Sequence, residues 1–406
     1  MAVGLSAPEQ LVDIDGIDIA TTEAGIRYEG RDDMVLMALA PGSTTAAVFT
    51  QNKVCAAPVT LAKANLQSQP ARALLINAGN ANAATGQQGL DNAQQCCVEV
   101  ASLLAIDAEQ VLPFSTGVIG EQLPMQTMGR GIHQLNQRLG KDGWIAAARA
   151  IMTTDTVAKG YSEQLTISNQ SVSITGIAKG SGMICPDMAT LLAYVATDAA
   201  IEQSVLEEML HRVTAASFNR ITVDSDTSTN DALVLVATGR SSMPRITAID
   251  QAEAEQFYQA IERLMVNLAT SIIRDAEGAS KFVKIVVSGG YSESDCETIA
   301  YSVAHSPLVK TALFASDPNW GRLLMAIGKS PVEQLDIDRL SVAINDLSLI
   351  EKGQPASSYT EELGQAEFDQ AEIEIQIDLG MGSSSYHVWT SDLSHDYVSI
   401  NADYRS

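Results

Sequence analysis

The 406-residue chain is short of positive charge: 25 Lys and Arg stand against 49 Asp and Glu, a net charge of −24, and the cations never gather into a run. Polyanion recognition needs clustered Lys and Arg, so nucleic acid is not an expected partner. Cysteine is also sparse. The five, at positions 55, 96, 97, 185 and 296, are odd in number and offer no C-x-x-C spacing, which argues against a disulfide framework and a zinc site. Five histidines at 133, 211, 305, 387 and 395 contain no i, i+4 pair, so a zincin site is absent and no metal is expected. Nowhere do 18 apolar residues run together, and the opening MAVGLSAPEQLVDIDGIDIA has neither a basic nor an apolar targeting segment. Membrane spanning and export are therefore not expected, and the chain is expected to be cytoplasmic.

Two further motifs fail on inspection. Gly328, Lys329 and Ser330 imitate the end of a phosphate-binding loop, but the glycine required five positions earlier is Leu323. Asp224, Asp226 and Asp231 imitate a calcium loop, but Thr229 replaces its essential glycine and Leu235 its final glutamate. The acidic excess is densest from Glu351 to Ser406, where a solvated, solubilising surface is the simplest reading.

What is present is enough apolar residue, 46%, to bury one large core or several ordinary ones. Leu90, Ala93, Cys97, Ala101 and Leu104 recur at helical spacing, as do Ala254, Phe257, Ile261, Met265, Leu268 and Ile272. Ile373, Ile375, Ile377 and Leu379 alternate with polar residues, the period of a strand with one wet face. Leu165 and Ile167, a polar turn at Asn169 and Gln170, then Val172 and Ile174 predict a hairpin that delivers the chain into Lys179. Such alternation of strands and helices predicts a mixed α/β or α+β fold. The loosest stretch, Gly353 to Gly364, is the candidate for a domain seam.

The segment with unusual chemistry is KGSGMICPDMATLL, from Lys179 to Leu192. Gly180 and Gly182 open backbone angles closed to other residues, Pro186 fixes a dihedral, and Leu191 to Val195 form the apolar run of a buried strand. Thr190 thus stands where a constrained loop meets a rigid strand. A threonine hydroxyl held there against the preceding carbonyl can shift the Ala189 acyl group from nitrogen to oxygen, and hydrolysis of that ester cuts the chain. The new N-terminal threonine carries an α-amine with a pKa of about 7.7 to 8.0, suited to act as base for its own hydroxyl. The same residues also fit a glycine-rich turn feeding a strand that begins with threonine.

This segment closely resembles the self-processing motif of the ornithine acetyltransferase family, the bifunctional glutamate N-acetyltransferases of arginine biosynthesis. Further matches run the length of the chain: VFTQNKVCAAPV from Val48, INAGNANAATG from Ile76, FSTGVIGEQLPM from Phe114, MTTDT from Met152, DSDTSTND from Asp224, DAEGASKF from Asp275, SDPNWGR from Ser316 and the terminal NADYRS. The resemblance implies a layered αββα-type sandwich like that of N-terminal nucleophile hydrolases, with the family's own topology. It implies cleavage between Ala189 and Thr190, giving an α chain of residues 1–189 and a β chain of 190–406 that form one intertwined unit, two of each in the assembly. It further implies Thr116 and Gly117 as the oxyanion hole, and Thr153, Lys179, Thr190, Glu277, Asn401 and Ser406 as substrate contacts. Without the family, STG would read as a turn after a strand, and Lys179 and Glu277 as solvated charges. Two positions depart from the family pattern: Asp187 stands where it often has Asn, and Ser406 where it often ends in Thr.

The implied reaction is ping-pong. Thr190 takes acetyl from N-acetylornithine as an ester and passes it to L-glutamate, with no cofactor required. Members described as bifunctional accept acetyl-CoA as a second donor. An aminopeptidase or amidohydrolase on the same self-cleaving scaffold is the enzymatic rival, separated by product analysis with and without glutamate. A non-catalytic small-molecule binding protein with an intact chain is the rival from another class.

Overall fold

The computed structural model describes residues 2–185 and 191–403; Asp187, Ala189, Thr190 and Ser406 lie outside the described residues. The chain divides into two compact units, one of residues 7–219 and 227–272, the other of 1–6, 220–226 and 273–406.

The first unit holds two sheets. One has the order β1 (Ile17–Thr22), β2 (Met34–Leu39), β4 (Ala73–Asn80), β5 (Val111–Val118). The other runs β3 (Thr44–Phe49), β10 (Ala232–Ala237), β8 (Leu192–Thr197), β7 (Gln170–Lys179), β6 (Lys159–Ile167). The sheets face each other across one core, to which Val35, Ile76 and Phe114 come from the first and Ile177, Tyr194 and Val234 from the second. Phe114 and Tyr194 meet edge to face across that core at 5.3 Å. The outer face of the first sheet is covered by helices Gly86–Leu104 and Met125–Arg138, through Cys97, Val100, Met128 and Ile132. Helix Gln203–Ala216 packs beside β3 and β10, while Leu264 and Leu268 of helix Ala252–Arg274 press on Gly176 of β7. The unit is thus the αββα sandwich that the family resemblance implied. Covered on both faces, β8 and β10 bury every residue, which is why they read as continuous apolar runs and not as alternation.

The predicted β6–β7 hairpin is present, its turn at Ser168 and Asn169, both with positive φ, one residue earlier than the sequence suggested. That two-residue loop matches the right-handed twist of its strands. Ser115, Thr116 and Gly117 lie inside β5, paired with β4, and are not a turn after a strand.

The second unit is built on one mixed sheet of order β14 (Gln354–Pro355), β13 (Leu347–Glu351), β12 (Ser341–Ile344), β15 (Glu372–Asp378), β11 (Phe282–Gly290), β16 (Ser384–Ser391), β9 (Ile221–Thr222). Helices Glu293–Ala304, Pro307–Phe314 and Trp320–Gly328 pack on it through Ile299, Val303, Val309 and Leu323. Strand β15 keeps its predicted alternation, with Ile373, Ile375 and Ile377 buried. Gly353 to Gly364 lies wholly within this unit, so it is no domain seam. Its turn closes the short β13–β14 pair and leads into helix Glu361–Phe368, whose N-terminal amide Leu363 N is capped by Thr360 Oγ1. No helix among the described residues is long and apolar enough to cross a membrane, and the five cysteines form no disulfide.

Candidate active site

The INAGN and FSTGV segments, distant in sequence, run side by side as parallel β4 and β5, with Ala78 opposite Thr116 and Gly79 opposite Gly117. Gly117 has φ +135°, and a Cβ there would fall 2.2 Å from the carbonyl carbon of Gly79. Only glycine fits so close an approach in that conformation. Ser115 Oγ donates to Asn77 Oδ1 at 2.6 Å, and Asn77 Nδ2 donates to the Asn80 carbonyl at 2.9 Å, pinning the two strand ends together. Thr116 is buried beside them.

A second segment ties this pair to the neighbouring sheet. Asn230 Nδ2 donates to the carbonyls of Ser115, at 2.9 Å, and Ala81, at 2.6 Å. Two residues on, Ala232 N donates to the Leu191 carbonyl at 2.9 Å. Asn230, Asp231 and Ala232 therefore bridge the strand of Thr116 and Gly117 to the residue that follows position 190 in the chain. Asp231 is 4% exposed, and its Oδ2 has no hydrogen-bond partner among the described residues. Burial, opposed by the Lys179 charge and hydrogen bonds from Ser228, pushes its carboxyl well above the usual carboxylate range.

Lys179 ends β7, opposite Leu192 at the start of β8, and is half-buried. Beside it Asp155 gathers three donors: Thr153 N to Oδ2 at 3.0 Å, Lys159 Nζ to Oδ1 at 2.6 Å and Gly180 N to Oδ1 at 2.8 Å. Full burial would raise this carboxyl. The charges of Lys159 and then Lys179, with the bonds from Lys159 and Gly180, outweigh it and hold the group at about 2.

In the other unit, Asn401 Nδ2 donates to Glu277 Oε2 at 2.6 Å, so two of the predicted contact residues meet. Ser394 caps helix His395–Ala402, which carries Asn401, and Tyr397 Oη donates to Asp224 Oδ2 at 3.1 Å. Burial, then the Asp224 charge and hydrogen bond, push the Tyr397 phenol up.

The structure thus links Thr116, Gly117, Thr153 and Lys179 through Asn230, Asp231 and Asp155, and joins Glu277 to Asn401. Asn230, Asp155 and Lys159 were not singled out from sequence, and Asp231 stood out only as part of a rejected calcium loop, although all four lie in the DSDTSTND and MTTDT blocks or just beyond them. Apart from the local Lys159–Asp155 pair, their roles rest on contacts with residues far along the chain, which no local spacing signals. A cavity of about 960 Å³ along the outer edge of β3, with Phe49, Lys63, Arg72 and Gln203 in its wall, contains none of the described site residues. Among the described residues no group of three His, Cys, Asp or Glu is placed to hold a metal.

An αββα sandwich whose two inner sheets bring a strand-borne Thr–Gly pair, a lysine and two buried carboxylates to linked strand ends is the framework of an enzyme. The chain belongs to the ArgJ family, whose model matches residues 18–406. It is 48% identical over 406 residues, all of both chains, to the arginine biosynthesis bifunctional protein ArgJ of Pseudomonas syringae pv. tomato. Among solved structures, the arginine biosynthesis bifunctional protein argJ of Bacillus halodurans is 34% identical with a TM-score of 0.49, covering 51% of this chain and 96% of that one. Ornithine acetyltransferase of Mycobacterium tuberculosis, solved with ornithine, is 33% identical with a TM-score of 0.39, covering 43% of this chain and 94% of that one.

Proposed function

We propose that the protein is a self-cleaving acetyltransferase of arginine biosynthesis, which moves acetyl from N-acetylornithine to L-glutamate through an acetyl ester on Thr190. The observation that carries this reading is the 48% identity, over the full length of both chains, to a relative named as a bifunctional protein of arginine biosynthesis. The bifunctional name also supports acetyl-CoA as a second donor. The ornithine-bound relative supports small amino acids as substrates.

In this reading the Thr190 hydroxyl attacks the Ala189 carbonyl, the peptide nitrogen leaves with a proton, and water hydrolyses the resulting ester. The α-amine so released takes the hydroxyl proton as Thr190 attacks the acetyl amide, and hands it to the departing ornithine amine. Glutamate's amine then attacks the ester and restores the enzyme. Thr116 and Gly117 supply the oxyanion donors. Gly117 suits that role because a side chain there would force apart the two strands that aim the donors. Thr153 and Lys179 hold the α-carboxylate common to both substrates, while Glu277, Asn401 and Ser406 read the amino and distal groups. No cofactor takes part in this transfer.

The sheet order explains how a cut chain would hold together. Strands β3, β6 and β7 precede the junction, β8 and β10 follow it, and all five share one sheet. The α and β chains would therefore stay hydrogen-bonded in register; that two of each make a cytoplasmic assembly rests on the family resemblance alone. A denaturing gel tests the reading. The 43.1 kDa chain should run as two bands of about 20 and 23 kDa, in proportion to chain length, and Thr190→Ala should give one. A single band from active wild-type protein, or acetate release that glutamate does not redirect into N-acetylglutamate, would sink it.

A further inference from the structure

We propose that Asp155 is a positioning residue for substrate binding: its single carboxylate sets the spacing between Thr153 and the end of β7 that carries Lys179. The inference rests on the reading of Thr153 and Lys179 as substrate contacts given above.

Three donors converge on this carboxylate, two from its own stretch and one from the end of β7. Oδ2 takes the amide of Thr153 at 3.0 Å, while Oδ1 takes both the amide of Gly180 at 2.8 Å and the ammonium of Lys159 at 2.6 Å. The side chains of Asp155 and Lys159 are 0% exposed. A buried ion pair is a poor device for stability alone, because desolvating both charges consumes most of what their attraction returns, and an apolar pair of similar size generally does as well. An apolar pair could not accept the amides of Thr153 and Gly180. That acceptance is what the carboxylate supplies beyond packing.

Gly180 directly follows Lys179, so holding its amide fixes the peptide plane that leaves the lysine. The backbone needs holding there, since Gly180 sits at φ +155°, at the edge of the region L side chains rarely adopt, and Met183 three residues on has φ +56°. A second tie joins the same segments, Thr154 Oγ1 lying 3.4 Å from Ser181 Oγ. Lys159 is the first of the attractive charges on Asp155 and Lys179 the second. Lys159 therefore carries the larger part of the counter-charge, and the carboxylate can grip the Gly180 amide without relying mainly on the ammonium proposed to meet substrate. A change at Asp155 should therefore loosen two contacts with the bound amino acid together, while leaving the acyl chemistry on Thr190 in place.

The experiment compares the wild-type protein with Asp155→Asn and with the double variant Asp155→Leu/Lys159→Met. Each is measured for ornithine affinity by calorimetry, for KM and kcat of acetyl transfer, and for thermal midpoint. Asp155→Asn should weaken ornithine binding and raise KM for both substrates on the order of 10- to 100-fold, the loss of one or two charge-assisted hydrogen bonds, with kcat changed by less than about threefold. The double variant should show the same loss of affinity with a thermal midpoint several degrees below wild type, because an apolar pair replaces the ion pair at little cost while the amides of Thr153 and Gly180 lose their acceptor. A double variant with wild-type affinity and KM would show that the pair only stabilises, and would overturn the proposal. So would a fall in kcat with KM unchanged, or failure of both variants to fold. Wild-type protein that binds ornithine but transfers no acetyl would remove the proposed function, and the affinities would still decide the role of Asp155.

Discussion

Replacing Asn230 by alanine separates the scaffold from the chemistry it supports. The side chain is 6% exposed, donates to two carbonyls, and accepts from Thr229 Oγ1 at 2.6 Å. Each carbonyl keeps a second lone pair, so losing one donor should cost about 1 kcal/mol apiece and not the full penalty of an orphaned group. The stranded Thr229 hydroxyl adds about 1 kcal/mol, and the small void left behind about as much again. The sum, about 4 kcal/mol, should lower the thermal midpoint by roughly 8–16 °C, given about 2–4 °C per kcal/mol for a body of this size. The kinetic consequence differs from that expected for Asp155. Asn230 grips the carbonyl of Ser115, one residue before Thr116, so its loss lets the strand proposed to carry the oxyanion donors drift from the strand that begins after position 190. Losing an oxyanion donor outright costs about 100- to 1,000-fold in rate; a displaced one should cost roughly 10- to 100-fold in kcat with KM little altered. Scanning calorimetry and initial rates on the same preparation read both numbers. An Asn230→Ala protein with a midpoint within about 2 °C of wild type and an unchanged kcat would refute the bridging role.

Gly117→Ala should be worse than any nearby side-chain truncation. Its Cβ would meet Gly79 at 2.2 Å and the amide of Asn80 at 2.5 Å, so a loss of at least about 3 kcal/mol is expected, and a wild-type melting curve would contradict the packing described. Asp231→Asn should be tolerated and should flatten part of the pH dependence of stability. Burial raises this carboxyl above its ordinary value, so its contribution is full below the unfolded pKa and lost as pH rises through the folded one. The variant should therefore melt at or above wild type at pH 8 and converge with it toward pH 4; a variant less stable at pH 8 would mean the carboxylate is used charged. His305 and His387 are each held down to about 4, the first by burial and then Lys310, the second by burial and then Arg220. Between about pH 6.5 and 4 the unfolded chain binds protons that the folded one refuses, so stability falls on acidification across that window. Urea midpoints at pH 7 and pH 4.5 check this, with no difference between them as the contrary result.

The fold was more legible in the sequence than the site, and the reason lies in the range of the interactions. Ile373, Ile375 and Ile377 announce β15 because one face of that strand is wet, and the helices over Leu90 to Leu104 and Ala254 to Ile272 follow from spacing alone. Strands β8 and β10 were harder, for a run such as LAYVAT buried on both faces carries no period, and only its length and its β-branched and aromatic residues argue a strand. The Ser115–Thr116–Gly117 segment reads locally as a turn. It is a strand because it pairs with β4, where Gly79, 38 residues earlier, lies opposite Gly117 and leaves room for its close approach. Thr153, Lys179, Glu277 and Asn401 came from family resemblance; what the structure adds is the partner each one leans on. Glu277 and Asn401 meet across 124 residues, Asp155 reaches 25 residues to Gly180, and Asn230 reaches back 115 to Ser115. A carboxylate that accepts from three donors and an amide that donates to two carbonyls look, in one dimension, like any Asp or Asn in a polar loop. Their function is set by burial, which makes each hydrogen bond obligatory and so turns a side chain into a spacer of fixed length.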